Sequence, residues 1–357
     1  DYKDNNFYVI AEVINPIKQQ DASSSNNSPF INYNSSSSSL QDAFRKVVLE
    51  SPRQLYAAQL EIIVLSEEVV NNHLEEVLEY FARDPESRTE IKIIVAKTED
   101  STKAITLQTL LTSLSSSNII KSLDLQSKVL GMAYPVTLNE LLNMYIDPYL
   151  EVVLPSMTLY GNYEIGDENI TTSSPKAIVK IDGSTITKDN KILGYLDLEE
   201  SKILNLINGK LKETIIKMNY YDGYIIFEPN RIKVSRELDI KNNIIKINIS
   251  GYSKTKEIQS NINVKDPKEV EKLNKALNME LEKKITDTFN SIREKYGTDV
   301  FGFQELYYRT NYKYFKENCT NWYEDIYPKI KLEVKANVRL YEKGNTLGGL
   351  RYERKNK

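Results

Sequence analysis

Residues 266–297 read DPKEVEKLNKALNMELEKKITDTFNSIREKYG, which has the pattern of one long amphipathic helix. Asp266 and Pro267 are typical of a helix start, and Gly297 is typical of a helix end. Between them, apolar side chains recur every three or four residues, so they share one face. They are Val270, Leu273, Leu277, Leu281, Ile285, Phe289, Ile292 and Tyr296. At 1.5 Å per residue the pattern predicts a helix of roughly 45 Å.

The sequence on either side of this helix predicts a sheet for it to cover. Ile245, Ile247 and Ile249 alternate with polar residues, and residues 330–340 alternate over a longer run. Such alternation is typical of an antiparallel sheet with one face in water and one face buried. We therefore expect a C-terminal antiparallel sheet crossed by the long helix, which buries both apolar faces.

The chain before residue 229 mixes strand and helix patterns. We predict strands at residues 7–14, 59–65 and 91–96, a polar loop at 19–39, and a helix whose apolar face runs from Val69 to Phe81. A further strand enters a turn at Asp182-Gly183. The fold class is therefore α+β, with mixed β-sheets and packed helices. At 357 residues we expect three domains, residues 1–103, 104–228 and 229–357.

Composition excludes several classes of protein. The 47 basic and 50 acidic side chains are interleaved, with a net charge of -3 and no basic stripe for a phosphate backbone, so we expect no nucleic-acid partner. No apolar run approaches the about 20 residues that cross a bilayer, and any export signal is expected to lie outside this sequence. Cys319 is the single cysteine, which excludes an intramolecular disulfide and predicts a buried structural thiol.

The usual catalytic residue types occur in settings that favour structural roles. His73 is the single histidine and lies in a charged helix, so a surface position is favoured over a catalytic one. Neighbouring acidic residues point in different directions on a helix and are expected to face solvent. These pairs are Glu67-Glu68, Glu75-Glu76 and Glu199-Glu200. Gly344, Gly348 and Gly349 lack the residues that complete a phosphate-binding loop.

An aromatic cluster near the C-terminus allows two interpretations. It comprises Tyr307, Tyr308, Tyr312, Tyr314, Phe315, Trp322 and Tyr323. The cluster could bind a ring or a partner protein, but the rim of a core beneath a loop is favoured. The triplet Asn169-Ile170-Thr171 matches a glycosylation acceptor and is interpreted as incidental. The residue types thus indicate no catalytic, cofactor-binding or metal-ligating residue.

Several segments, in order, resemble the Ger(x)C family, the C subunits of spore germinant receptors in bacilli and clostridia. The resemblance covers nearly the whole chain, and its order of motifs is more specific than any single motif. The segments are residues 59–67 (QLEIIVLSE), 81–86 (FARDPE), 177–180 (AIVK), 191–196 (KILGYL), Glu199-Glu200, 299–303 (DVFGF) and Trp322.

Two features depart from the family pattern. Gln59 stands where many relatives carry a histidine. The lipid-bearing cysteine of the family, with the tryptophan-acidic segment after it, does not occur here.

The resemblance implies a three-domain, non-enzymatic α+β lipoprotein without a cofactor. It would be exported, lipidated upstream of Asp1, and held on the outer face of the spore inner membrane beside membrane-embedded germinant receptor A and B subunits. There it would be required for nutrient-triggered germination. We interpret Asp299, Gly302 and Trp322 as determinants of the fold.

Two other functions remain open from the sequence. An exported solute-binding lipoprotein would capture a small nutrient directly, and a ligand-induced rise in thermal stability would favour it. A cell-wall hydrolase would need an activated pair of carboxylates, which the sequence does not identify.

Overall fold

The computed structural model describes residues 1–15, 28–98, 101–108, 112, 114–162, 169, 173–264 and 266–342. The chain groups into two compact units: Asp1–Asp124 with Pro135–Asp197, and Leu125–Tyr134 with Leu198–Lys357. The α+β class predicted from the sequence is confirmed, because sheets and helices build both units. The boundaries of the three expected domains stay a prediction.

The first unit contains two sheets and most of the short helices. Its elements are β1 (Tyr2–Lys3), β2 (Asn6–Ile14), β3 (Phe30–Ser37), α1 (Leu40–Lys46), β4 (Ile62–Ser66), α2 (Glu67–Asn72), α3 (Leu74–Arg83), β5 (Lys92–Ala96), α4 (Lys103–Thr106), α5 (Ser115–Val129, which continues into the second unit), β6 (Val136–Thr137), α6 (Leu138–Ile146), β7 (Val153–Gly161), β8 (Ala177–Lys188) and β9 (Lys191–Leu196). The strand orders are β1-β2-β3 and β4-β5-β7-β8-β9, with β6 paired to β5.

Part of the predicted polar loop at residues 19–39 is a strand, so that prediction was wrong for β3. Its Ser and Asn residues have low intrinsic β propensity, but β3 pairs with the apolar strand β2 in register, from Phe7 opposite Ser37 to Ile14 opposite Phe30. Pairing and packing override propensity in such a strand. Residues 16–27 of the predicted loop lie outside the described residues.

The larger sheet has parallel strands at one side and antiparallel strands at the other. β5 runs parallel to β4 and to β7, whereas β8 and β9 continue by antiparallel pairs. The helix predicted over the apolar residues from Val69 to Phe81 is divided at His73 into α2 and α3. β4 starts at Ile62, later than predicted, because residues 57–59 form a 3-10 turn.

The predicted turn at Asp182-Gly183 is wrong, because β8 continues through it as one strand. The register shifts there: Pro155 pairs with Ser184 and Met157 pairs with Ile181, which makes a β-bulge. Gly183 has a φ of +110°, and an added Cβ would lie 2.1 Å from the carbonyl oxygen of Leu196. Glycine is therefore required at the bulge both for its φ and for the close approach of β9.

The second unit is a four-stranded sheet with helices packed on it. Its elements are α7 (Leu198–Ile207), β10 (Ile216–Tyr220), β11 (Gly223–Asp239), β12 (Ile244–Ile258), α8 (Pro267–Tyr296), α9 (Phe303–Thr310), α10 (Tyr312–Asn318), a π-helical turn (Trp322–Ile326), a 3-10 turn (Tyr327–Lys329) and β13 (Lys331–Glu342). We call its sheet, in the order β10-β11-β12-β13, the C-terminal sheet.

The sheet is not wholly antiparallel, which corrects the sequence prediction. β10, β11 and β12 pair antiparallel, but β13 runs parallel to β12, with Ile245 opposite Leu332. Parallel neighbours need a long crossover, and the segment between Ile258 and Lys331 supplies one that contains α8. The alternation of residues 330–340 confirms a strand with one exposed face but carries no information about its direction.

α8 has the start, end and apolar face that the sequence predicts. The side chain of Asp266 accepts a hydrogen bond from the backbone N–H of Lys268, and Gly297 ends the helix with a φ of +62°. The helix packs on β13 through its apolar face. The buried residues are Leu273, Leu277, Leu281, Ile285, Phe289 and Ile292.

A row of polar side chains on α8 binds the outer edge of β13, which has no further strand beside it among the described residues. The backbone N–H groups of Ala336, Val338 and Leu340 donate to this row over 2.8–2.9 Å. Their acceptors, which we call the edge ladder, are Glu282, Asn278 and Asn274 respectively. Four residues of helix advance about 6 Å and two residues of strand about 6.6 Å, so the two repeats match.

Candidate functional site

The loop between α8 and α9 is organised around one buried carboxylate. Asp299 is 2% exposed; its Oδ1 accepts from the backbone N–H of Phe301 at 3.2 Å and its Oδ2 from that of Gln304 at 2.6 Å. Gly302 precedes α9 with a φ of +69°, which favours glycine. The side chain therefore holds one backbone donor of the loop and one in the first turn of α9, where an N-cap side chain also binds.

Charge in this loop is buried and partly compensated. Burial raises the pKa of the Asp299 carboxyl to about 6, while its backbone hydrogen bonds and the nearby Arg236 act in the opposite direction. Nη1 of Arg236 donates to the carbonyl oxygen of Phe301 at 2.8 Å and to Oδ1 of Asn208 at 3.0 Å. Burial lowers the pKa of this guanidinium. The network joins the loop to β11 and to the residue after α7.

Three of the seven residues of the aromatic cluster near the C-terminus are buried, and the others are half-buried or exposed, as expected for the rim of a core. Tyr307, Phe315 and Trp322 are buried, with ring centroids 5.0 Å apart for Tyr307 and Trp322. The hydroxyl of Tyr307 donates to Asn243, and Cys319 is buried, which raises the pKa of its thiol. The buried members of the cluster therefore stabilise the chain around α9 and α10.

His73 is not a freely exposed surface residue, which corrects its predicted position. Its ring stacks on Tyr2 with centroids 3.5 Å apart and meets Phe7 edge-on at 5.6 Å. Its Nδ1 lies 3.2 Å from Oε1 of Glu76. The only histidine thus packs in an aromatic group at the junction of α2 and α3, with the Glu76 carboxylate beside its Nδ1.

The neighbouring glutamates have separate partners. Glu67 accepts from the hydroxyl of Tyr195, Glu75 accepts from that of Tyr145 at 3.3 Å, and Glu199 forms an ion pair with Lys202 at 2.7 Å. These contacts place the carboxylates in three different settings. Gly344, Gly348 and Gly349 lie outside the described residues.

Asn169 has a structural role. Its amide nitrogen donates to the carbonyl oxygens of Gln108 and Ala177, at 2.8 and 3.1 Å, and its Oδ1 accepts from the N–H of Ala177 at 3.0 Å. The side chain is 1% exposed, so its match to a glycosylation triplet is incidental.

A polar cluster in the first unit, at the carboxyl ends of β4 and β5, was not predicted from the sequence. Nζ of Lys97 lies 2.9 Å from Oδ2 of Asp182, and the Thr158 hydroxyl donates to the same oxygen at 2.5 Å. Lys97 also lies 4.9 Å from the ring centroid of Tyr195, whose hydroxyl donates to Glu67. Ligands often bind at this edge of parallel strands.

The contacts within this cluster favour a structural role. Burial, together with the hydrogen bond to Glu67, raises the pKa of the Tyr195 hydroxyl, which stays protonated and donates. Lys97 neutralises Asp182 directly. Each charged group is thus held by another member, and a nucleophile with a free base beside it is not formed. Positions so distant in sequence show no shared motif, so only the fold could reveal them.

Within the described ranges, no group of three or more His, Cys, Asp and Glu side chains could hold a metal ion. No helix in the same ranges combines the length and apolar composition that a membrane crossing needs.

Two family models match the chain in succession. The model described as Spore germination protein N-terminal domain matches residues 1–159, and the model described as Spore germination B3/GerAC like, C-terminal, matches residues 182–344. The chain belongs to the Ger(x)C family of spore germination proteins. The second match contains both the Asp182 bulge and the Asp299 loop.

Individual Ger(x)C proteins agree with this assignment. The chain is 24% identical over 353 residues to spore germination protein KC of Bacillus subtilis, covering 96% of this chain and 86% of that protein. It is 21% identical over 319 residues to spore germination protein GerQC of Bacillus cereus, covering 88% and 83%. The crystal structure of the GerBC protein shares the fold, with a TM-score of 0.60, 16% identity and 96% of each chain covered.

Proposed function

We propose that the chain is the C subunit of a nutrient germinant receptor, held on the outer face of the spore inner membrane by a lipid upstream of Asp1. It works there beside membrane-embedded A and B subunits and is required for nutrient-triggered germination. It contributes binding surfaces and catalyses no reaction. It needs no cofactor.

The observation that carries the proposal is the succession of both Ger(x)C models along the chain, from residue 1 to residue 344. Relatives named as spore germination proteins align over most of their own length, so the shared part is not a single common module. The geometry of the polar side chains agrees with this role. Asp299, Lys97 and His73 each hold local structure in the part of the chain that the structure describes.

Affinity capture from spores tests the proposed partners. We expect a tagged form of the chain, purified from detergent-solubilised spore inner membranes, to bring down the A and B subunits encoded with it, identified by mass spectrometry. A matched control is an unrelated tagged lipoprotein of the same membrane, which should recover neither subunit. Recovery of the tagged chain with neither subunit, under conditions in which both are detected in the input, would contradict the proposal.

A further inference from the structure

The exposed face of the C-terminal sheet carries a group of positive charges. β13 exposes every second side chain, including Lys335 and Arg339, and β11 exposes Arg231 and Lys233. Lys254 lies on β12 between these two strands and is half-buried. The pairing register brings the strands together: Lys233 lies opposite Ser250, which lies opposite Asn337 between Lys335 and Arg339. Neighbouring strands are about 4.8 Å apart, so these charges share one compact area.

Two exposed tyrosines lie in the same area. Tyr252 is 48% exposed and pairs with Arg339, and Tyr341 is 53% exposed at the end of β13. Their ring centroids are 5.8 Å apart in an edge-on arrangement, and Nζ of Lys254 lies 5.8 Å from the Tyr341 centroid. We call these residues together the basic face. They are Arg231, Lys233, Tyr252, Lys335, Arg339 and Tyr341, and Lys254 is left out of this group.

Acidic residues flank this group of positive charges at both ends. Glu237 and Glu333 both pair in register with Lys246, near the start of β12, and Asp239 lies 3.8 Å from the same lysine. At the other end, Glu228 and Glu342 both pair in register with Lys254, and Glu228 is bound by Lys256 at 2.9 Å. Arg231, Lys233 and Lys335 form no ion pair with any residue that the structure describes. The cations of Arg231, Lys233 and Lys335 are therefore available for a partner.

We propose that the basic face binds the anionic phospholipid headgroups of a membrane. A sheet face with separated cations matches a plane of many phosphates better than a single small anion, which would need convergent donors. Tyrosine is suited to the headgroup region because its ring is apolar and its hydroxyl is polar. The net charge of the chain is -3, so attraction to an anionic surface requires such a local concentration of cations. The inference rests on the proposed membrane location.

Vesicle co-sedimentation of the purified chain tests the proposal. We expect binding to vesicles that contain phosphatidylglycerol, weaker binding as salt is added, and little binding to vesicles of phosphatidylcholine alone. The triple variant Lys233→Glu, Lys335→Glu, Arg339→Glu should lose roughly fivefold in apparent affinity for each cation removed. The matched control, Lys275→Glu, Lys283→Glu, Lys313→Glu, makes the same charge change at exposed positions of α8 and α10 and should bind like the unmodified chain.

Equal binding by the two triple variants, both with unchanged circular dichroism and melting temperature, would overturn the proposal. Failure of the unmodified chain to bind anionic vesicles would overturn it as well. Neither result bears on the receptor role, because capture of the A and B subunits from spores is measured separately. Conversely, vesicle binding without capture of those subunits would support the basic face and contradict the receptor role.

Discussion

Replacing Asp299 by alanine is expected to lower the free energy of unfolding by about 3 kcal/mol at pH 5. The substitution removes the acceptors of the backbone N–H groups of Phe301 and Gln304, in a loop from which water is excluded. Each buried donor left without a partner costs about 1–3 kcal/mol. Chemical denaturation followed by circular dichroism measures the change.

The effect of Asp299→Ala depends on pH in a definite direction. The pKa of this carboxyl is about 6 in the folded chain, above its ordinary value of 3.8. The folded state therefore binds the proton more tightly than the unfolded state, and the carboxyl costs stability increasingly as pH rises from about 4 to above 6. The variant has no such cost, so its loss of stability should be about 1 kcal/mol smaller at pH 7 than at pH 5.

Asp287→Ala is the matched control for this experiment. Asp287 is an exposed aspartate on α8, and surface substitutions of this kind usually change stability by less than about 0.5 kcal/mol. If Asp299→Ala and Asp287→Ala were equally stable, or if the loss at Asp299 grew between pH 5 and pH 7, the assigned role of the buried carboxylate would be wrong.

Replacing the whole edge ladder by leucine is expected to destabilise the chain by about 3 kcal/mol, roughly 1 kcal/mol for each lost acceptor. The substitutions are Asn274→Leu, Asn278→Leu and Glu282→Leu. The replacement should also promote self-association. The N–H groups of Ala336, Val338 and Leu340 would then be available to a strand of another copy. Denaturation measures the first effect and sedimentation velocity the second.

The control for the ladder changes residues one position further along α8. Lys275→Leu, Met279→Leu and Lys283→Leu keep the same spacing but lie on the exposed side of the helix. Leucine is a good helix former, so helix propensity is maintained in both variants. Should the control self-associate as strongly as the ladder variant, added surface hydrophobicity would explain the result, and the edge of β13 would not.

The sequence was most informative where local signals and packing agree. α8 has a cap, a stop and an uninterrupted apolar face, so its bounds follow from residues 266–297 alone. β13 shows the alternation of a half-buried strand, but parallel and antiparallel strands with one exposed face share this pattern. Its direction depends on the crossover, and the edge ladder depends on that direction, so neither was predictable.

Other features of the fold required contacts between distant residues. β3 is a strand because β2 provides its partner, although its own Ser and Asn residues favour a loop. Lys97 and Asp182 meet because the bulge at Gly183 and the end of β5 lie together, and no local pattern marks this meeting. Recognition of the family succeeded because it depends on the order of many short segments, which the sequence contains directly.

Release of dipicolinate from spores tests the proposed receptor role most directly. Spores that lack the gene for this chain, unmodified spores and a complemented strain would each be exposed to single nutrients and to a non-nutrient trigger. We expect that the deletion abolishes release in response to at least one nutrient, that complementation restores it, and that the non-nutrient trigger acts normally in all three strains. The contradicting result would come from a strain that lacks this gene and also lacks the genes of related C subunits, except those of one intact receptor. Unchanged release from that strain in response to every nutrient would contradict the proposed receptor role.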